Sequence, residues 1–153
     1  MTGWVSDHTE VTTSDFENLR VIGKGAFGKV MLVKHIATGQ LYAMKVMRKD
    51  KIIELNQVEH TVAEREILQS IHHPFLVSLH YAFQSTAKLY LVLDYKTGGE
   101  LFFHLQRSGK FSEDRARFYT AEIALGVGHL HSLGVVYRDL KPENVLLDAS
   151  GRC

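Results

Sequence analysis

The chain has a single cysteine, Cys153, at its last position, so no disulfide can form within it and a reducing compartment suits it. Long apolar runs are missing as well. The longest, Leu89 to Leu93, falls far short of the roughly 20 residues that a membrane-spanning helix needs. No basic opening followed by an apolar stretch marks a secretory leader, because residues 1–15 carry Asp7, Glu10 and Asp15. Neither sign of charge dominates: the net charge is +1, with Lys and Arg scattered among Asp and Glu. Lacking a basic stripe, the chain is not expected to bind nucleic acid. Internal repeats and low-complexity segments are also missing. These absences point to the cytoplasm or nucleus, with no direct membrane segment.

What is present is an ordinary globular composition, 45% hydrophobic and 23% charged over 153 residues, enough for one domain or part of a larger one. Residues 1–15, rich in Thr, Ser and Asp without a period, read as a lead-in. From Phe16 the texture changes. Phe16 to Ile22, Lys29 to His35 and Leu41 to Met47 alternate apolar and β-branched residues between Gly-containing turns, predicting three antiparallel strands. After Gln57, apolar residues at 58, 62, 68 and 71 with charges between them predict a helix to Ser70. Val77 to Phe83 and Leu89 to Tyr95 predict two more strands, joined by the polar turn Gln84 to Lys88. Gly98-Gly99 punctuates, and Glu100 to Arg107 reads as a short helix. The longest helix starts after Ser112, an N-cap followed by Glu113 and Asp114 where carboxylates suit the dipole. Tyr119, Ile123, Val127 and Leu130 mark its apolar face and Gly134 its C′ stop. Five strands with one inserted helix, followed by helices, make an α+β fold with a small sheet lobe ahead of a helical lobe.

The glycine run Gly23-Lys24-Gly25-Ala26-Phe27-Gly28-Lys29-Val30 fits three templates. A dinucleotide fingerprint needs a helix immediately after it, yet Val30-Met31-Leu32-Val33 reads as a strand. A P-loop needs Ser or Thr where Val30 stands, to ligate magnesium. The third template, G-x-G-x-x-G-x-V between two strands, is a lid over ATP phosphates, whose glycines let backbone amides approach closely. In it Phe27, at the tip, screens the phosphates from water. Taken alone, the run also fits a flexible hairpin with no ligand.

Ala43-Met44-Lys45 ends an alternating strand, and Glu64 follows on the predicted helix. A lysine that grips α- and β-phosphates needs an anion to hold its flexible stem. At about 4 Å such a pair has roughly 4 kcal/mol of raw Coulomb attraction at intermediate dielectric, before desolvation, enough to favour one rotamer. The plainer alternative leaves Lys45 solvated and makes Glu66 an equal partner.

Tyr137-Arg138-Asp139-Leu140-Lys141-Pro142-Glu143-Asn144 sets an acid, a base and an amide at spacings that suit phosphoryl transfer to a hydroxyl. Asp139 can accept the hydroxyl proton, Lys141 can neutralise charge on the transferring phosphate, and the Asn144 carbonyl oxygen can ligate magnesium. Nine histidines raise the question of a metal site. His129 and His131 diverge on a helix, and His72-His73 precede Pro74 in a turn without a nearby cysteine, so packing or surface roles suit them and zinc is not expected.

Together these motifs resemble a protein kinase catalytic domain of the AGC group. Tyr137 before Arg138-Asp139 and the stretch Leu89 to Phe102 are typical of that group. His73-Pro74-Phe75-Leu76-Val77 and Leu101 to Arg107 most resemble the serum- and glucocorticoid-regulated kinases and protein kinase B. The resemblance implies a bilobal fold, with an ATP-binding lobe over 16–95 and the start of a helical lobe over 96–153. It implies ATP and Mg2+ as cofactors, and the nucleotide site takes in Ile22, Gly23, Lys24, Gly25, Ala26, Phe27, Gly28 and Lys29. Lys45 would bind phosphates and Glu64 would hold it. Val30, Ala43 and Leu146 would sandwich the adenine, Leu93 would be the gatekeeper, and Asp94 and Lys96 would present backbone groups to the purine. Asp139 would be the catalytic base. Lys141-Pro142-Glu143-Asn144 is the serine/threonine version of the loop, and Glu100 and Glu143 match positions that hold arginines of a basic substrate. Implied partners are proteins with Arg or Lys upstream of Ser or Thr, and an upstream activating kinase.

The sequence departs from the family in lacking Asp-Phe-Gly, due about four residues beyond Cys153, and Ala-Pro-Glu. The expectation is a kinase fragment that alone binds ATP weakly and transfers phosphate negligibly. A noncatalytic module that binds a nucleotide or a kinase partner is the alternative. The long helix is expected to expose Tyr119, Ile123 and Val127, leaving a poorly soluble, molten second half.

Overall fold

Alternation at period two does most of the building. In the computed structural model, which describes residues 11–153, five strands form one antiparallel sheet in the order β1-β2-β3-β5-β4. They are β1 Phe16–Gly25, β2 Gly28–His35, β3 Leu41–Arg48, β4 Leu79–Gln84 and β5 Lys88–Asp94. Residues 1–10 of the lead-in lie outside the described residues. By internal contacts the chain divides into two units, one running through Ile71 and resuming over Val77–Tyr95, the other His72–Leu76 with Lys96–Cys153.

In the first unit, β3 sends Tyr42, Met44 and Val46 to one side of the sheet, and Ala43, Lys45 and Met47 to the other. The first side closes over Phe16, Val33, Met44, Val46, Tyr90 and Val92. Its aromatic rings stack, Phe83 on Tyr90 at 4.8 Å and Phe16 on Phe83 at 6.2 Å. The second side buries Met47, Ala82, Leu89 and Leu91 against Ile52 of α1 (Lys49–Glu54), with Leu68 of α2 (Val58–Ser70) packed alongside. The sheet lobe thus carries two helices where the sequence predicts one. Helix α1 is six residues long with no side-chain cap, too short to show a period, and is fixed by burial of Ile52. The stripe expected on α2 also differs: Val58 is exposed, and Thr61 is the buried residue, its hydroxyl donating to the Gln57 carbonyl at 2.8 Å.

In the second unit, α3 spans Leu101–Ser108 and α4 spans Glu113–Ser132. The Ser112 hydroxyl accepts from the Arg115 amide at 3.3 Å, as an N-cap should. At the other end Gly134, at φ +75°, donates to the His131 carbonyl at 3.0 Å, and Val135 donates to Leu130 at 3.0 Å. This is a Schellman stop. A two-stranded sheet, β6 Gly99–Glu100 with β7 Leu146–Leu147, was not legible in the sequence.

The expected exposure of the α4 face does not hold. Tyr119 and Leu130 are buried and Ile123 and Val127 half-buried, because Leu101, Val145, Leu147 and Phe111 pack around Tyr119 and Ile123. Near Gly126, a Cβ would come within 3.1 Å of the Phe75 carbonyl oxygen, so the segment over 72–76 lies against the same helix. The exposed apolar residues of α4 are instead Phe118 and Leu125. Among the described residues, no helix is long and apolar enough to cross a membrane.

Candidate active site

The first unit gathers its candidate residues on the sheet face that also meets α2. Register sets Val30 opposite Lys45, Leu32 opposite Ala43, Gly23 opposite Val30, and Leu93 opposite Ala43. Directly opposed residues share a face, so Gly23, Val30, Ala43, Lys45 and Leu93 form one surface. A small, open cleft lies there, lined by Gly25, Phe27, Gly28, Lys29, Val30, Lys45, Val46 and Met47. The hairpin between β1 and β2 roofs it, tied down where the Arg48 amide donates to the Phe27 carbonyl at 2.9 Å.

The glycines of this hairpin have different reasons to be glycine. A Cβ on Gly28 would lie 1.9 Å from the Val46 carbonyl oxygen, so the fold itself forbids one. A Cβ on Gly25 would meet nothing within 4 Å, and on Gly23 only ordinary contacts with Val30 at 3.5 Å. Nothing in the fold accounts for glycine at position 25, whereas close approach of a ligand to its backbone would. Phe27 is turned differently from the exposed tip the sequence suggests: its half-buried ring packs on the cluster around Met47 and Leu91. Lys24, Gly25 and Ala26 form the exposed tip, and Ile22 is exposed beside it.

Lys45 Nζ donates to both carboxylate oxygens of Glu64, at 2.7 and 2.9 Å, across nineteen residues of sequence. Of the two glutamates weighed, Glu64 is the partner and Glu66 is exposed. The pair is partly open, with side-chain exposures of 30% and 41%, so the lysine is braced yet still reachable from solvent.

The second unit assembles the other candidates. Lys141 Nζ lies 3.0 Å from Asp139, and the Asn144 amide nitrogen donates to both the Asp139 carbonyl and its carboxylate at 2.8 Å. With that nitrogen committed, the Asn144 carbonyl oxygen is the atom able to ligate a cation. The Lys141 ammonium, and next the Asn144 amide, hold the Asp139 carboxyl below the ordinary aspartate range; Asp139 in turn raises Lys141. The turn into this loop needs Arg138 at φ +37°, an uncommon conformation for a residue with a side chain.

Glu100 pairs with Leu146 across β6 and β7, and β6 neighbours the 3-10 turn Pro142–Asn144 that carries Glu143. Both glutamates are exposed, and neither has an ion-pair partner among the described residues. Gly98 lets the chain close on β7: its amide donates to the Leu147 carbonyl at 2.8 Å, and a Cβ would lie 2.4 Å from the Asp148 carbonyl oxygen. The His104 ring fixes the same turn by bonding the Gly98 carbonyl at 2.8 Å. Leu146 and Lys96 are half-buried, and Leu147 is buried. One histidine of each pair has a packing role, the His73 ring stacking on His129 at 4.8 Å, whereas His72 and His131 are exposed. Sequence reading missed the clamp of Asn144 on Asp139 and the closure at Gly98; the Gly98-Gly99 pair was the only signal for the second.

Known proteins resemble the chain over most of its length. The protein kinase domain family matches residues 16–153. The chain is 59% identical over 142 residues to a RAC family serine/threonine-protein kinase homolog of Dictyostelium discoideum, covering 93% of this chain and 32% of that protein. It is 56% identical over 147 residues to serine/threonine-protein kinase Sgk1 of Danio rerio, covering 95% and 34%. With serine/threonine-protein kinase Sgk3 of Rattus norvegicus it shares 58% identity over 139 residues, covering 90% and 28%. The chain therefore spans about a third of the length of these relatives.

Proposed function

The chain belongs to the protein kinase domain family, and on that premise we propose that it serves to carry the γ-phosphoryl group of ATP to serine and threonine hydroxyls of proteins. Kinase domains use ATP with a divalent metal. The observation that carries the reading is the forked Lys45–Glu64 pair beside the cleft under the glycine hairpin. A cation held by a carboxylate and open to a glycine-lined cleft is what a polyphosphate requires.

In this proposal the Gly25 backbone and Lys45 hold the phosphates, and Val30, Ala43, Leu93 and Leu146 supply apolar surface to the adenine. The backbone at Asp94 and Lys96 meets the purine edge. Asp139, ionised and oriented by Asn144, accepts the hydroxyl proton as the new oxygen–phosphorus bond forms and the bond to the leaving diphosphate breaks. Lys141 moves from Asp139 to the phosphoryl oxygens as charge develops there. Magnesium, held through the Asn144 carbonyl oxygen, would neutralise phosphate charge.

Glu100 and Glu143, exposed and unpaired, favour substrates with Arg or Lys upstream of the acceptor. An upstream activating kinase and a cytoplasmic or nuclear location complete the proposal. Residues 1–153 by themselves contain no Asp-Phe-Gly, so that piece alone should turn over negligibly.

The test is phosphate transfer by the full natural chain from labelled magnesium ATP to a Ser peptide with upstream arginines. Transfer lost in Lys45→Met and Asp139→Asn supports the reading. Transfer unaffected by both changes, or none in the unaltered protein, refutes it.

A further inference from the structure

One polar contact of the first unit lies off the candidate site. His80 Nε2 is 2.6 Å from Asp94 Oδ1, while Asp94 Oδ2 accepts from the Ser78 amide at 3.3 Å. The local strand geometry explains how they meet. In β4 the register slips between Leu79, opposite Leu93, and Tyr81, opposite Val92, so His80 has no partner of its own in the ladder. Such a bulge re-aims the side chain it carries. Leu79 packs with the Met47 cluster and Tyr81 with the aromatic one, and the His80 ring sits 4.9 Å from Tyr42, on the aromatic side.

Asp94 is directly opposite Tyr42 in the ladder, so its carboxylate leaves on that same aromatic side. Lys45, Val30 and Ala43 occupy the other side. The Asp94 carboxylate therefore points away from the cleft, and only its backbone is available to a ligand there. That residue is held at two points, since its amide donates to the Ser78 carbonyl at 3.1 Å and its side chain is held by His80.

We propose that His80 is a positioning residue for nucleotide binding, bracing through the Asp94 carboxylate the strand end whose backbone meets the purine. This rests on the nucleotide reading given above. A carboxylate only accepts, so Nε2 carries the proton at this contact. The groups facing His80 are Asp94 from β5, Tyr42 from β3 and Tyr81 beside it on β4, with His35 of β2 stacked on Tyr81 at 5.9 Å. Burial, then Tyr81, then Asp94 push the Tyr42 hydroxyl up, so it stays protonated beside the His80 ring.

The experiment measures binding of adenosine and of ATP to the full natural chain, in the wild type, His80→Ala and His80→Lys. Adenosine has no phosphate, so its affinity is free of Lys45. His80→Ala should weaken adenosine about tenfold, the scale of one hydrogen bond to a charged group. His80→Lys, which keeps a donor for the Asp94 carboxylate, should restore the affinity, which lost folding would not do. Equal affinity in all three proteins overturns the brace, as does a wild type that binds ATP but no adenosine. A wild type that binds neither ligand overturns the nucleotide reading itself, and the brace with it.

Discussion

The ammonium of Lys45 is forked onto both oxygens of Glu64, at 2.7 and 2.9 Å, so a strand and a helix meet in one charged contact at the cleft. With 41% of the Glu64 side chain exposed, the pair adds little to stability; its worth lies in keeping Lys45 in one rotamer. Glu64→Ala should shift the unfolding free energy by less than about 1 kcal/mol. The same change should raise KM for ATP roughly tenfold, as expected when a positioning partner is lost. Calorimetry beside steady-state kinetics checks both; a large stability loss with unchanged KM would make the pair structural.

Gly28 and Gly25 should respond oppositely to the same substitution. Gly28→Ala drives a methyl against the Val46 carbonyl and should cost about 1–3 kcal/mol, read as a lower denaturation midpoint. Gly25→Ala meets no protein atom and should leave that midpoint in place. Its effect should appear only in nucleotide affinity, as a loss of about tenfold or more where the backbone can no longer approach phosphate.

The lowered Asp139 carboxyl has a definite sign. A depressed carboxylate stays ionised above its folded value, and what ionisation supplies is lost only as pH falls through that value. Carbon NMR of the Asp139 carboxyl should therefore show a midpoint below the usual aspartate value. Lys141→Met should move it upward, and Asn144→Ala should do so to a smaller degree, following the order of the two contacts. A midpoint unmoved by Lys141→Met would show the contact to be inconsequential.

Gly134 closes α4 at φ +75°, in a conformation that costs a side-chain-bearing residue about 1 kcal/mol. Gly134→Ala should lower stability by about that amount, whereas Gly128→Ala inside the same helix, where a Cβ meets nothing, should raise it by about 0.5–1 kcal/mol. Chemical denaturation of the two variants checks the contrast.

The five strands were legible as short alternating or apolar runs between glycine-containing and polar turns, and α4 by its length, its Ser112 cap and its Gly134 stop. Lys45, Glu64 and Asp139 were legible because their spacing matches a task. Helix α1 was not, since six residues cannot display a helical period. The two-residue strands β6 and β7 carry no alternation to read, and they form because Gly98 admits a backbone from late in the chain. The brace of His80 on Asp94 was hidden for a related reason: a bulge breaks the strand period that would have told which way the imidazole points.

The pairing of Gly99 with Leu147 sets an order of events at the ribosome. Every strand of the larger sheet is made before α3, so that sheet can assemble while synthesis continues. The start of α3 is tied down later, because the Leu101 amide donates to the Val145 carbonyl at 2.8 Å. At typical elongation of about 5–20 residues per second, the nascent α3 waits several seconds for that acceptor to be made.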